Sequence, residues 1–204
     1  MEGSIVAFVN SKKKEVQAKI VYYGPGRGGK TTNLEYIHKK YTSRVKTEMV
    51  SVKTHGDRTL FFDFFPFDVG KIKGYDVTVQ LYTVPGQVKY DATRQLVLRG
   101  VDGVVFVADS MAVRREKNFM SLKNLQKNLS IYKKNIFQIP LVLQYNKRDL
   151  KDIPLMPINK MDRELNSQLK VPSYPGSAIT GLNIVETLKK IISLTMVSLQ
   201  NQLR

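Results

Sequence analysis

The chain has 204 residues, of which 42% are hydrophobic and 25% charged, and this composition suits one globular domain with a sizeable core. It contains no cysteine, which excludes disulfide bridges and every thiol chemistry. Its formal net charge is +16, from 33 lysines and arginines against 17 acids, and no apolar run approaches the roughly 20 residues that a membrane-spanning helix needs.

Apolar runs and helical patterns alternate along the chain. Apolar runs of strand length lie at 16–23, 60–67, 75–82, 103–109, 139–145 and 173–176. Apolar residues recur at helical spacing in 31–41, 119–132, 159–169 and 183–199. Strands that alternate with helices predict an α/β fold, with a mostly parallel sheet of about six or seven strands and helices on both of its faces. Ligands of such sheets bind at the carboxyl ends of the strands.

The loop after the first of these strands carries a phosphate-binding motif. Residues 24–31 spell Gly-Pro-Gly-Arg-Gly-Gly-Lys-Thr, which is the G-x-x-x-x-G-K-[ST] loop of P-loop nucleoside triphosphatases. Its glycines let backbone N–H groups approach phosphate oxygens, and the following helix adds further donors. Lys30 is predicted to reach the β- and γ-phosphates, and Thr31 to bind Mg²⁺. The predicted phosphate-binding residues of this loop are Gly24, Gly26, Arg27, Gly28, Gly29, Lys30, Thr31 and Thr32.

A second motif selects the base. An Asn-Lys-Arg-Asp tetrad, which ends at Asp149, directly follows the predicted strand 139–145. The Asp149 carboxylate can accept hydrogen bonds from the N1–H and 2-amino groups of guanine, whereas adenine would leave it unpaired. The stem of Lys147 is predicted to lie over the base, and Asn146 to tie this loop to the phosphate loop. The predicted guanine-binding residues are Asn146, Lys147, Asp149 and, through backbone amides after the next strand, Ser177 and Ala178.

The positive charge is densest in one segment. Residues 114–134 hold seven lysines and arginines against Glu116 as the single acid. Such a segment is typical of a surface that meets an anionic membrane, a nucleic acid or an acidic protein, and equally of a solvated helix face. No nucleic-acid-binding module accompanies the charge, so we predict no nucleic-acid partner. A membrane, an acidic protein and simple solvation stay open.

Together these motifs resemble the small Ras-like GTPase superfamily, and within it the bacterial MglA gliding and polarity GTPases. The most specific blocks of the resemblance are Asp-Arg-Thr-Leu-Phe-Phe-Asp-Phe at 57–64 and Thr-Val-Pro-Gly-Gln at 83–87. The resemblance implies a single GTPase domain over 1–204, with its core at about 16–200 and a short N-terminal extension over 1–15.

The resemblance also assigns roles to two switch regions. Thr59 matches the switch I threonine that binds Mg²⁺ and senses the γ-phosphate, and Arg58 matches the intrinsic arginine finger of this family. Gly86 matches the residue whose N–H reaches the γ-phosphate, and Gln87 the glutamine that orients the attacking water. Thr83 stands where most Ras-like proteins hold Mg²⁺ through an aspartate, which leaves the metal affinity open. The implied catalytic residues are Gln87 and Arg58, and the implied metal ligands are Thr31 and Thr59.

The function implied by the resemblance is a molecular switch. It comprises slow, Mg²⁺-dependent hydrolysis of GTP to GDP and phosphate, an activating protein of the roadblock (MglB-like) kind, and effectors of polarity or motility. A nucleotide-loaded scaffold with negligible hydrolysis, which marks a membrane or pole through its basic surface, is the alternative, and Asp149 disfavours an ATPase. Because no leader peptide or lipidation motif is present, we expect a cytoplasmic protein. We also expect it to be a monomer. Recruitment to a cell pole or to the inner membrane surface stays open.

Overall fold

The computed structural model describes residues 8–10, 12–45, 48–52, 62–86 and 90–202. Its strands are β1 (Phe8–Asn10), β2 (Glu15–Tyr23), β3 (Val50–Val52), β4 (Phe62–Ile72), β5 (Tyr75–Thr83), β6 (Gly103–Asp109), β7 (Leu141–Asn146) and β8 (Ser173–Pro175). Its helices are α1 (Lys30–Lys40), α2 (Asp91–Leu98), α3 (Arg115–Ile131), α4 (Ile158–Leu165) and α5 (Ile184–Gln202).

The strands of the described residues form one sheet in the order β3-β4-β5-β2-β6-β7-β8, with β1 paired to β2. Strand β2 is parallel to β5 and β6, and β7 is parallel to β6 and β8. Strands β1, β3 and β4 pair antiparallel with their neighbours. The predicted α/β fold with a mostly parallel sheet is therefore confirmed. The described strands number eight, against about six or seven predicted, because β1 and β3 lie outside the predicted apolar runs.

Helices cover both faces of the sheet, as predicted. Helices α1 and α5 pack on one face, where Leu34 and Ile191 are fully buried. Helices α2, α3 and α4 pack on the other face through Val97, Leu125 and Met161. Every residue of β6 and β7 is buried, because helices cover both sides of these central parallel strands.

Helix α2 lies outside the predicted helices. It has eight residues, and the family resemblance places switch II in the stretch after Tyr82 that leads into this helix. No helix is predicted between the strands at 75–82 and 103–109, because the resemblance assigns the start of this interval to switch II. No helix in the described part of the chain is both long and apolar enough to cross a membrane.

Strands β4 and β5 form a hairpin that positions the side chains of Asp63 and Thr83. Its turn is the two-residue segment 73–74, where both residues have positive φ, as in the tight turns that suit twisted hairpins. The register pairs Phe64 with Tyr82. Asp63 near the start of β4 therefore lies opposite Thr83 at the end of β5.

The carboxyl ends of the parallel strands carry the sequence motifs. Strand β2 ends at Tyr23, directly before the phosphate loop, and β7 ends at Asn146, the first residue of the base-selecting tetrad. Strands β5, β6 and β8 end at Thr83, Asp109 and Pro175. Because these strands are neighbours and run in one direction, their ends meet at the same edge of the sheet.

Candidate active site

The phosphate loop joins β2 to α1 and owes its shape to glycine. Gly29 has a φ of 95° at the N-cap of α1, and a Cβ there would overlap the side-chain amide of Asn146. Gly24 has a φ of 145°, and a Cβ there would overlap the backbone carbonyl of Val107 in β6. Only glycine combines these backbone angles with such close approaches. The loop therefore lies against β6 and β7, where the strand ends meet.

Lys30 is buried beneath the loop. It is 6% exposed, and its ammonium group donates to the carbonyl oxygens of Gly24 at 3.1 Å and Pro25 at 2.8 Å. An ammonium group has three donors, so a third N–H remains for a phosphate oxygen. Burial is the main cause that lowers the pKa of Lys30 to about 7, with Arg94 acting in the same direction and Asp63 against it. A phosphate beside Lys30 would raise this pKa again, because a neighbouring anion favours the charged form.

Asn146 joins the base-selecting loop to the phosphate loop, which is the contact that the sequence predicts. Its Nδ2 donates to the carbonyl oxygen of Gly28 at 2.8 Å, and its Oδ1 accepts from the N–H of Ala178 at 2.9 Å. The side chain is 2% exposed, so both hydrogen bonds are shielded from water. A buried amide that is satisfied at both ends holds the loops after β2, β7 and β8 in fixed relation.

Lys147 is held by a buried carboxylate. It has a left-handed backbone with a φ of 71°, and its Nζ donates to Oδ2 of Asp109 at 2.7 Å. Asp109 is fully buried at the end of β6, so this ion pair sets the direction of the Lys147 stem. Asp149 follows two residues later and is half-buried. The structure thus brings the tetrad to the predicted strand end, and its contacts with a base stay predictions.

The loop after β8 places Ser177 and Ala178 beside the tetrad. They are 0% and 4% exposed. The N–H of Ser177 donates to the carbonyl oxygen of Leu182 at 3.1 Å, and the N–H of Ala178 donates to Oδ1 of Asn146 at 2.9 Å. To contact guanine as predicted, each N–H would have to share its hydrogen bond with the base or leave its present acceptor. The contacts of these two amides with guanine stay predictions.

Thr31 lies beside a carboxylate that the sequence analysis does not assign. The Thr31 hydroxyl donates to Oδ2 of Asp63 at 2.6 Å, and the Thr83 hydroxyl donates to the same oxygen at 2.9 Å. The N–H of Asp63 in turn donates to the Thr83 hydroxyl oxygen at 2.9 Å. Asp63 thus supplies a carboxylate directly beside the threonine that replaces the usual aspartate. Only the hairpin register reveals this neighbour, since the sequence analysis examines position 83 alone.

This group of side chains fits Mg²⁺. One carboxylate and two hydroxyls converge at the start of α1, and Mg²⁺ prefers oxygen ligands, of which carboxylates are the strongest. Within the described ranges, no cluster of three or more histidine, cysteine, aspartate or glutamate side chains offers a competing metal site.

Gly86 lies against the phosphate loop. A Cβ on Gly86 would overlap the backbone of Pro25 and Gly26, so the turn after β5 approaches the loop as closely as backbone atoms allow. Arg27, a predicted phosphate-binding residue, is exposed, and Thr32 is half-buried in the first turn of α1. The remaining site residues, Arg58, Thr59 and Gln87, lie outside the described residues, and their roles stay predictions.

Comparison with known sequences identifies the family of the chain. The sequence model of the Ras family matches residues 19–196, which include the phosphate loop, the tetrad and the strand ends described above. The chain belongs to the Ras family. It is similar to the mutual gliding-motility protein MglA of Myxococcus xanthus (strain DK1622), with 47% identity over 195 residues that cover 96% of this chain and 98% of that protein.

More distant relatives belong to another branch of the family. The Ypt/Rab-type GTPase Rab7 of Gibberella zeae is 25% identical over 185 residues, which cover 89% of this chain and 83% of that protein. The Rab7 protein of Neurospora crassa is 24% identical over the same shares. The Ras-like P-loop fold and the MglA-type resemblance are therefore confirmed, and the chain is a GTP hydrolase of the Ras family.

Proposed function

We propose that the protein is a Mg²⁺-dependent switch whose GTP-bound and GDP-bound forms differ in affinity for effectors of gliding motility or cell polarity. The observation that carries the proposal is the convergence of the phosphate loop, the tetrad and the Thr31–Asp63–Thr83 group at one edge of the sheet. The biological role is supported by 47% identity to a protein named for gliding motility.

Three residues outside the described ranges supply the hydrolysis chemistry in this proposal. Gln87 follows Gly86, which lies against the phosphate loop, and we assign to it the orientation of the attacking water. Arg58 spreads positive charge over phosphate oxygens that become more negative in the transition state. Thr59 senses the γ-phosphate through its N–H, which links the nucleotide to the conformation of switch I.

Mg²⁺ is the metal that the site would hold. The hydroxyls of Thr31 and Thr59 are the proposed ligands, and the Asp63 carboxylate takes the part that an aspartate at position 83 has in most Ras-like proteins. Two hydrogen bonds between Asp63 and Thr83 keep that carboxylate in place. When bound, the ion neutralises charge on the β- and γ-phosphates.

The partners in this proposal are GTP and GDP, a roadblock-type (MglB-like) activator and motility or polarity effectors, and the protein acts as a monomer. Single-turnover hydrolysis of GTP, with and without an MglB-like protein, tests it. Turnover that the activator accelerates supports the switch, whereas tight GTP binding without hydrolysis would favour the scaffold. Pull-downs with GTP-loaded and GDP-loaded protein then identify effectors as the partners that only the GTP form retains.

One surface supports membrane association as part of this function. We call the exposed side of α3 the lysine face, and its members are Lys117, Met120, Lys123, Lys127 and Ile131. Met120 and Ile131 are 50% and 51% exposed, and Phe137 beyond the end of the helix is 51% exposed. Exposed lysines are attracted to an anionic leaflet, and exposed apolar side chains beside them can enter the boundary between headgroups and acyl chains.

The distribution of arginine favours a membrane over a protein partner for this face. Protein interfaces are enriched in arginine and depleted of lysine. The two arginines at the start of the segment are engaged elsewhere, since Arg114 donates to Gly26 and Arg115 pairs with Glu116 and Glu164. The exposed charges of the lysine face therefore come from lysines, each of which contributes about 1 kcal/mol to membrane binding near an anionic leaflet.

Sedimentation with phosphatidylserine vesicles at low and high salt tests this surface. Replacement by glutamine of Lys123 and Lys127 in the lysine face, and of Lys133 and Lys134 just beyond the end of α3, should reduce binding at low salt and leave GTP turnover unchanged. The matched control removes the same charge elsewhere on the surface, at Lys12, Lys39, Lys71 and Lys189, and should retain binding. Salt should weaken the wild-type interaction by screening. Failure of the wild type to sediment at low salt would point instead to an acidic protein partner or to simple solvation.

A further inference from the structure

Arg114 connects the segment before α3 to the phosphate loop, although it belongs to neither nucleotide motif. Its Nη2 donates to the carbonyl oxygen of Gly26 at 2.5 Å, and its Nε lies 3.4 Å from Oδ2 of Asp109. The Arg114 side chain is 26% exposed, whereas that of Asp109 is fully buried. The guanidinium group is therefore held between a buried anion and the loop.

The residue after Gly26 has a strained backbone. Arg27 has a φ of 61°, in the left-handed region that glycine adopts freely and that other residues avoid. A hydrogen bond of 3.2 Å from the N–H of Gly28 to the carbonyl oxygen of Pro25 closes a tight turn around it. Rotation of the Gly26–Arg27 peptide would let Arg27 reach an ordinary φ and would release this strain.

The orientation of that peptide decides what the loop offers to a phosphate. The peptide is trans, so its carbonyl oxygen and its N–H point in opposite directions. Because the carbonyl oxygen of Gly26 accepts a hydrogen bond from the Arg114 guanidinium, the N–H of Arg27 points away from Arg114. Phosphate loops bind through N–H donors, and a rotated peptide would exchange the donor for an oxygen.

We propose that Arg114 is a positioning residue, which holds the Gly26–Arg27 peptide in the orientation that phosphate binding needs, against the strain of Arg27. This inference rests on the GTP site proposed above and adds to it a residue outside the nucleotide motifs. Asp109 supports the guanidinium from behind and also accepts from Lys147 at 2.7 Å. One buried carboxylate thus supports both the phosphate loop and the base-selecting loop.

A double-mutant cycle with a fluorescent GTP analogue tests the inference. Arg114→Ala should weaken nucleotide binding about tenfold, because the strained peptide loses the bond that holds it. Glycine at position 27 adopts the left-handed backbone at little cost. In an Arg27→Gly background, the further change Arg114→Ala should therefore cost only about twofold. The difference between the two backgrounds measures the positioning role, because a lost charge would weaken binding equally in both.

Two further variants serve as controls. Arg115→Ala removes the same charge from the adjacent residue, whose partners are Glu116 and Glu164, and should bind nucleotide as the wild type does. Arg114→Lys keeps one donor for the Gly26 carbonyl and should recover part of the affinity even if Arg114→Ala unfolds. An equal loss from Arg114→Ala in both backgrounds, or no loss at all, would overturn the inference. A wild-type protein that binds no GTP would overturn the proposed function itself.

Discussion

The base side and the metal side of the site are built differently. On the base side, formed by the loops after β7 and β8, Asn146 bonds to Gly28 and to Ala178. Both bonds join one protein loop to another. On the metal side, at the start of α1, the hydroxyl of Thr31 donates to the carboxylate of Asp63. That hydroxyl is the atom that Mg²⁺ is expected to need.

The two sides differ in which hydrogen bonds within the protein a ligand has to replace. A guanine can bind at Asp149 while the bond from Asn146 to Gly28, which joins the base-selecting loop to the phosphate loop, persists. Mg²⁺ has to replace the hydrogen bond between Thr31 and Asp63, so metal binding rearranges groups that already contact each other. We therefore expect base affinity to depend mainly on one charged side chain. Metal affinity should depend on a balance among Thr31, Asp63 and Thr83.

The largest expected effect concerns the hydrolysis step. Arg58→Ala and Gln87→Leu should each bind GTP normally and lower the activator-stimulated rate, by about 10³–10⁵ for the arginine. The physical reason is loss of charge stabilisation for Arg58 and loss of the water-orienting amide for Gln87. Phosphate release under single-turnover conditions measures the rate, and nucleotide titration provides the control. A variant that keeps the stimulated rate would remove its residue from the catalytic group.

A smaller but still large effect is expected on the base side. Asp149→Asn should weaken GTP binding about a hundredfold and favour xanthosine triphosphate, because the amide reverses one hydrogen-bond partner and hydrogen bonds to a charged group are strong. Titration with both nucleotides measures the switch in preference. Asp152→Asn, at an exposed aspartate three residues further on, is the matched control and should bind as the wild type does. Unchanged guanine preference in Asp149→Asn would exclude this carboxylate from the base site.

The metal side offers a direct test of Asp63. Asp63→Asn should lower the apparent Mg²⁺ affinity about tenfold, because one charged acceptor near the ion is lost. Nucleotide release at a series of Mg²⁺ concentrations set with a chelator measures this affinity. Adding Thr83→Asp to Asp63→Asn should restore part of it, since a carboxylate returns to the neighbouring strand. If Asp63→Asn leaves the Mg²⁺ dependence unchanged, Asp63 acts only as a structural partner of Thr31.

The smallest expected effect separates folding stability from ligand binding. Burial lowers the pKa of Lys19 from 10.5 to about 8, although Asp102 opposes the shift, so the folded protein disfavours the charged lysine. The free energy of unfolding should rise as the pH increases from about 8 towards 10, because the unfolded chain still binds a proton that the folded chain has released. Lys19→Met should lose this rise and leave base preference and Mg²⁺ dependence unchanged. Denaturant unfolding of both proteins at about pH 7 and pH 10 compares them. If the unfolding free energy changes equally between the two pH values in both proteins, Lys19 is well solvated.

Local sequence was sufficient to predict the phosphate loop and the base-selecting tetrad. Each motif is contiguous and follows a strand, so its shape depends on neighbouring residues and on the fold class alone. The alternation of strands and helices likewise indicated the parallel sheet without long-range information. Helix α2 was not predicted because the family resemblance assigned the start of its segment to switch II.

Asp63 and Arg114 could not be assigned in the same way. Asp63 lies 32 residues from Thr31 and 20 residues from Thr83, and the register of the β4–β5 hairpin brings the three together. Arg114 lies 88 residues from Gly26 and meets it only because β6 packs beside the phosphate loop. A shift of one residue in the β4–β5 register would turn the Asp63 side chain to the opposite face of the sheet.

The sequence by itself determined the fold class and the GTPase family, and it predicted the residues of the phosphate and base loops, because contiguous motifs carry that chemistry. Only the tertiary structure decided which carboxylate meets Thr31 and which guanidinium meets Gly26. Hydrogen bonds of 2.6 Å and 2.5 Å depend on strand register and on the packing of distant segments. No local propensity encodes either of these.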